Sequence, residues 1–252
     1  MPEAEAVARV LREPELDGPR LALAAIVGGD RARAIDHGIR ARNARRERLD
    51  DTAFRHAAKQ LVLVRKHLEW TAPISALVEA VHVGRGFVEG VTLPLAAWRE
   101  QGPELVALAP IVHLKIVGNV HGRVTALASD PLLARIRSLD LDGCQLDDDD
   151  LRALVASPHL GQLRWLGLAR NEIGRAGHAA LAEATPRLLG LRYVNLALND
   201  SPDPTDEAAI DEVGNVRWLS RPEGIELEQR YGELPWLHAA YLDADREIFY
   251  VT

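Results

Sequence analysis

The sequence predicts an α/β chain in which strand–helix units stack side by side behind a helical N-terminal part. Three observations predict it. Four nine-residue segments align without a gap: IVHLKIVGN (111–119), IRSLDLDGC (136–144), LRWLGLARN (163–171) and LRYVNLALN (191–199). Their starts lie 25, 27 and 28 residues apart, a near-constant period that marks a repeat architecture. The intervals between them, such as LRALVASPHLGQ (151–162) and AGHAALAEATPRLL (176–189), have helical spacing of apolar residues.

The N-terminal part, residues 1–86, reads as helices. AEAVARVLR, PRLALAAIV, RARAIDHGIRARNARRER and TAFRHAAKQLVLVRKHLEW each carry apolar residues at helical spacing. Turn signals separate them at Pro14–Gly18 and Gly28–Asp30. FVEGVTL (87–93) followed by PLAAWREQGPELVALAP offers a first strand and helix, so the repeat region is set at 87–199.

Within each nine-residue segment the pattern is apolar-x-x-apolar-x-apolar-x-x-Asn, with Cys144 in the second copy. Apolar residues two apart, such as Leu166 and Leu168, point to one side of a short strand, and the following helix must cover them. A single unit cannot bury its own core, so the units stack and their strands pair in parallel. The ninth residue (Asn119, Cys144, Asn171, Asn199) falls where the chain leaves the strand, where a side chain can bond otherwise unpaired backbone. Cys144 is read in that structural role, since no base can be assigned to it as a catalytic partner.

This pattern resembles the leucine-rich repeat family, in its longer, ribonuclease-inhibitor-like type with a full helix per unit. Asn171, Ile173, Gly174, Gly177 and Leu181, in NEIGRAGHAAL, are similar to that type's strand-to-helix segment. The resemblance implies a solenoid with parallel strands on the concave face, helices outside and an N-terminal helical cap. PELDGPRLALAAIVGGDRARAIDHGIRAR also resembles the bacterial repeat-companion domain, through Asp17, Pro19, Arg20, Leu21, Gly29 and Asp30. The aromatic, acidic and tryptophan positions usual in that module's first helix are Ala and Ile here.

The second unit replaces the glycine-bearing turn by QLDDDD. Asp147 to Asp150, just before LRALV, read as a helix N-cap with dipole-favoured acids. A divalent-cation site with Asp140 and Asp142 is the alternative, although DLDGCQLDDDD lacks calcium-loop spacing. After residue 199 the repeat stops. Residues 200–252 carry 4 basic against 13 acidic side chains and form an acidic C-terminal cap, which a solenoid needs over its last unit. SPDPTDEAAIDEVG reads as a loop and short helix, GNVRWLS as one further strand of the sheet, and REIFYVT as part of a hairpin. The cap and a free aromatic tail that docks on another protein remain alternatives for the ending.

Composition narrows the function classes. Of 252 residues, 47% are hydrophobic and 27% charged, a globular balance. One cysteine excludes an intramolecular disulfide framework, and no apolar run reaches the roughly 18 residues that span a bilayer. The acidic start MPEAEAVARVLREPE lacks the apolar core of a signal peptide, so a cytoplasmic protein is expected, and the resemblance to the bacterial repeat-companion domain implies a bacterial one. The net charge of −7 is uneven, with 14 basic against 11 acidic residues in 1–70. Arg40, Arg42, Arg45 and Arg46 head a basic stretch, Arg31–Arg48, with two readings: a solvated helix face, or a contact for phosphate or an acidic protein.

Stacked units place the third, fifth and seventh residues of each segment on the concave side. The columns are His113, Ser138, Trp165 and Tyr193; Lys115, Asp140, Gly167 and Asn195; and Val117, Asp142, Ala169 and Ala197. Arg164 and Arg192 precede their strands. Trp, Tyr and Arg dominate binding hot spots, so a solvent-facing Trp165–Tyr193 pair flanked by arginines is expected to hold a protein partner. The alternative is a cross-strand stack with a structural role. His113 with Asp140 is the one acid–base pairing in reach, and no nucleophile completes it. The expectation is therefore a non-enzymatic protein-binding module, with no cofactor, no metal and no membrane, acting as a monomer or in a heterocomplex. Such a scaffold would hold an effector, a toxin-like protein or a regulatory or defence-associated one. A nucleic-acid accessory role through Arg31–Arg48 is the alternative.

Overall fold

The computed structural model describes residues 1–199, 209–210, 216–217 and 221–238. Five helices come first: α1 (Glu3–Arg12), α2 (Asp17–Val27), α3 (Gly29–Arg46), α4 (Asp50–Lys66) and the short α5 (Ala72–Ser75). Strands β1 (Ala80–Gly84) and β2 (Phe87–Pro94) follow, then α6 (Leu95–Leu108). Strands and helices then alternate: β3 (His113–Val117), α7 (Val124–Ala128), β4 (Ser138–Asp140), α8 (Asp148–Val155), β5 (Trp165–Gly167), α9 (Arg175–Ala184) and β6 (Tyr193–Asn195). Beyond them lie β7 (Ala209–Ile210), β8 (Val216–Arg217), α10 (Arg221–Tyr231) and α11 (Pro235–His238).

The protein is a mixed α/β chain whose first six strands hydrogen-bond in the order β1-β2-β3-β4-β5-β6. β1 and β2 are antiparallel, whereas β4–β5 and β5–β6 are parallel. The chain divides into two compact units. One holds Met1–Leu93 and Glu100–Leu114, and the other holds Pro94–Arg99 and the described chain from Lys115 onward.

In the first unit, acids at the start and bases at the end of α1 and α4 suit the helix dipole (Glu3, Glu5 to Arg9, Arg12; Asp50, Asp51 to Arg65, Lys66). Gly28 and Gly29 break α2 from α3 with φ of 61° and 55°, a region L side chains avoid. Ala6, Val10, Leu23, Ile35, Ile39 and Phe87 form one buried cluster. The helical reading of residues 1–86 fails at its end, where Ala80–Gly84 is a strand. Arg85 and Gly86 turn it back onto β2 with φ of 47° and 82°, as a two-residue hairpin loop requires. α3 accommodates that turn at Gly38, where a Cβ would come within 2.3 Å of the Arg85 Cα.

Every strand from β3 to β6 starts on the third residue of its nine-residue segment. The middle column Leu139, Leu166 and Val194 is buried and in register. The eighth residue of all four segments is left-handed: Gly118, Gly143, Arg170 and Leu198 have φ of 84°, 70°, 56° and 58°. The ninth residue then bonds the turn. Asn171 Nδ2 donates to the Leu141, Leu168 and Ala169 carbonyls at 3.0, 2.9 and 3.1 Å, and its Oδ1 accepts from the Leu146 N–H at 3.0 Å. Asn199 repeats this on the Leu168 and Leu196 carbonyls and the Ile173 N–H. Cys144 makes the reduced version, its Sγ donating to the Ile116 carbonyl at 3.4 Å. α7 packs on α8 and α8 on α9.

The Asp147–Asp150 run starts α8 with a reciprocal capping box, as expected of an N-cap. GNVRWLS is corrected: its strand β8 pairs antiparallel with β7 in a separate two-stranded sheet rather than extending the main one. α10 was not foreseen. Trp236, buried in α11, donates from Nε1 to Thr185 Oγ1 at 2.9 Å. The REIFYVT hairpin lies outside the described residues.

Candidate binding face of the parallel strands

Register aligns Ser138, Trp165 and Tyr193 in one row across β4, β5 and β6, and Asp140, Gly167 and Asn195 in the next. The Trp165 and Tyr193 rings stack with centroids 6.1 Å apart and planes 18° apart. Gly167 makes room for this. A Cβ there would lie 2.6–2.7 Å from the Trp165 six-membered ring and 2.8 Å from Asp142 Oδ1. The indole therefore leans over Gly167 along the strand, which any larger fifth residue would prevent.

The charged residues of the face pair with one another. Lys115 Nζ meets Asp140 Oδ2 at 2.9 Å. Asp142 accepts the Ala169 N–H at 2.8 Å and an Asn195 side-chain N–H at 3.2 Å. Burial and the neighbouring Asp140 push the Asp142 carboxyl up to about 6. Burial likewise pushes the Cys144 thiol up to about 12, which keeps it protonated and unreactive.

The expectation that this row faces open solvent is corrected. Trp165 is 7% exposed, Asp140 3% and His113 9%. Lys115, Asp142, Arg164, Tyr193 and Asn195 are half-buried, and Arg192 alone of the named residues is exposed. The accessible part of the face lies along β6 and its approach, at Arg192, Tyr193 and Asn195, with Trp165 as the layer that supports Tyr193.

The Arg31–Arg48 stretch is likewise not one solvent patch. Arg42 is 8% exposed and pairs with Asp17, while its Nη1 reaches the Glu15 carbonyl at 3.3 Å. Arg31 lies over the Trp70 and Phe87 rings, and burial pulls its guanidinium down to about 10. Arg40 pairs with Asp36 on its own helix. Arg45 is half-buried and Arg46 exposed. Arg33, Arg40, Arg46 and Arg48 are exposed, so the stretch is a row of charges interrupted by the inward-turned Arg42 and the half-buried Arg31 and Arg45.

The acidic run separates into two places. Asp140 and Asp142 lie on the sheet face, while Asp147 and Asp150 cap α8 beside His121, a residue sequence reasoning had not connected with them. These three offer ligand atoms within 4.8 Å of one another and could hold a cation. Their oxygens already have work: Asp150 accepts from His121 Nδ1 at 2.8 Å and from the Gly122 N–H at 3.0 Å, and Asp147 accepts the Asp150 N–H. The Asp150 bond raises the His121 pKa, so the group holds its own cation as pH falls.

Fold and face together define an α/β protein with an aromatic and charged row on parallel strands. No family model matches the chain, and no curated protein or solved structure is similar to it. Among the described residues no helix is long and apolar enough to cross a membrane.

Proposed function

We propose that this protein is a leucine-rich-repeat-like, non-enzymatic module that binds a protein partner across the face of its parallel strands. The observation that carries this reading is the Tyr193–Trp165 stack, held over Gly167 and flanked by Arg192 and Arg164. A rigid aromatic presented from a strand, backed by a buried tryptophan and bordered by guanidinium, matches the composition of protein hot spots. The strand period, the left-handed eighth residue and the asparagine ladder support the repeat reading. The internal pairing of Lys115 with Asp140, and of Asp142 with Ala169 and Asn195, supports binding over catalysis, because these groups are already committed.

The test is affinity capture from the host with native protein and with Arg192→Ala/Tyr193→Ala, followed by titration of the purified captured protein. A residue of hot-spot strength costs about 2 kcal/mol or more, so the double variant should bind at least about thirtyfold more weakly. Arg192 is exposed and Tyr193 half-buried against Trp165, so the double variant should keep the native fold, read by circular dichroism. Equal affinity of both forms for the captured protein would refute the proposed face. A Trp165→Ala variant separates support from contact, since its loss should lower stability as well as affinity.

A further inference from the structure

We propose that the solvent side of α4 is a docking strip for an acidic amphipathic helix of a partner protein. Phe54 is 71% exposed and Val62 66%, an unusual exposure for large apolar side chains in the middle of a helix. Exposed Ala58 stands between them, so the three occupy i, i+4 and i+8 on one face about 12 Å long. Half-buried Leu61 edges the same face, exposed Arg65, about 20° from Phe54, closes its C-terminal end, and Leu68, 64% exposed, follows just past the helix end. At about 100° per residue, Leu61, Ala58 and Val62 all fall within about 80° of Phe54.

The next sector of the helix is cationic. Arg55, Lys59 and Lys66 fall about 100–140° from Phe54 and are all exposed. Asp51 is the acid on this side of the first turn. Among the described residues Arg55 bonds within its own helix, to the Asp51 carbonyl and Thr52. Lys66 pairs with Asp30 while its side chain stays 65% exposed.

An apolar row bordered on one side by cations is complementary to a helix with apolar residues at i, i+3 or i+4 and i+7, and carboxylates beside them. An anionic bilayer offers the same two chemistries. The strip is one row wide with a single aromatic, however, and the chain's net charge of −7 opposes a negative membrane surface. The charge pattern therefore favours the peptide. This surface does not rest on the reading of the sheet face.

The experiment selects binders from a helical peptide library displayed on phage, using the full chain as bait. Selected peptides are then titrated against native protein, Phe54→Ala/Val62→Ala and Lys59→Glu/Arg65→Glu. These positions are exposed, so circular dichroism should report native folding in both variants. The expected result is enrichment of peptides with Asp or Glu beside an apolar stripe, with binding at least about tenfold weaker to each variant and weakened by salt. Peptides without acidic enrichment, or equal binding to all three proteins, would overturn the proposal. So would Phe54-dependent flotation with phosphatidylserine–phosphatidylcholine vesicles, or a Phe54-dependent dimer by light scattering.

Discussion

Glu89 offers the sharpest test of how the first unit is held together. Its carboxylate sits between two buried guanidiniums, with Arg20 Nη2 at 2.5 Å and Arg85 Nε at 2.9 Å from Oε1. The side chains of Arg20, Arg85 and Glu89 are 0%, 2% and 6% exposed. Burial pulls the Arg20 pKa down and the Glu89 charge pulls it back up, so this carboxylate compensates the buried guanidinium. Arg85 has other acceptors, the Pro14 and Glu15 carbonyls at 2.9 and 3.0 Å. Among the described residues Arg20 bonds the Leu16 carbonyl at 3.0 Å besides Glu89. Glu89→Gln keeps the shape, which matters because a Cβ on Gly84 would lie 2.2 Å from Glu89 Oε2. It removes the charge and strands Arg20, a change that costs about 3–5 kcal/mol in buried pairs. Arg20→Met in the Glu89→Gln background removes the stranded ion. The double variant should then be less destabilised than the sum of the two singles by about 1–3 kcal/mol. Urea unfolding, followed by circular dichroism, measures all four proteins. A Glu89→Gln cost under about 1 kcal/mol, or strict additivity, would show that the triad is solvated and that the helices are held by their apolar cluster alone.

Three further predictions concern the second unit. Asp142 ionises at about 6 when folded, against 3.8 for the unfolded carboxyl, so the folded state holds the proton more tightly. Stability should fall as pH rises from about 4 to 6 and stay lower above, by about 1–3 kcal/mol, and Asp142→Asn should remove that slope. A difference between the two proteins that stays constant from pH 4 to 7 would contradict the assignment. Asn171→Ala should cost about 2–3 kcal/mol by leaving buried backbone groups of two units unpaired, read as a lower unfolding midpoint; an unchanged midpoint would mean water replaces the amide. Leu198→Gly should stabilise the protein by about 0.5–1 kcal/mol. Leu198 is 52% exposed and held at φ 58°, so relief of strain outweighs the entropy of the added glycine; a drop in melting temperature would refute this.

What the sequence made legible was what depends on spacing. The strand starts, the buried Leu139–Leu166–Val194 column and the asparagine turn follow from a local pattern repeated four times. The roles of Gly118 and Gly143 could have been read too, had Arg170 and Leu198 not filled the same left-handed position with side chains that conceal it. β1 was missed because AVHVGRGF lies beside four strong helices; its signal was the Arg85–Gly86 hairpin turn rather than its short alternation.

Exposure was the illegible quantity. A strand pattern says which residues share a face, and it does not say what covers that face. Trp165 sits in the row that spacing assigns to the outside, yet it is 7% exposed. Part of the answer stands two residues away, in Gly167. A glycine at the fifth position, where its neighbours have Asp140 and Asn195, is a space for a ring, and the tryptophan leans into it. Arg20 and Arg42 make the same point for charge. An arginine in a polar helix reads as solvated, whereas here Glu89, Asp17 and the carbonyls of Glu15 and Leu16 help to compensate its burial. The function of a repeat face is therefore set by which of its residues the rest of the chain leaves uncovered. On that measure the proposed contact falls to Tyr193 and Arg192, at the end of the row, with Trp165 stacked behind Tyr193 as its support.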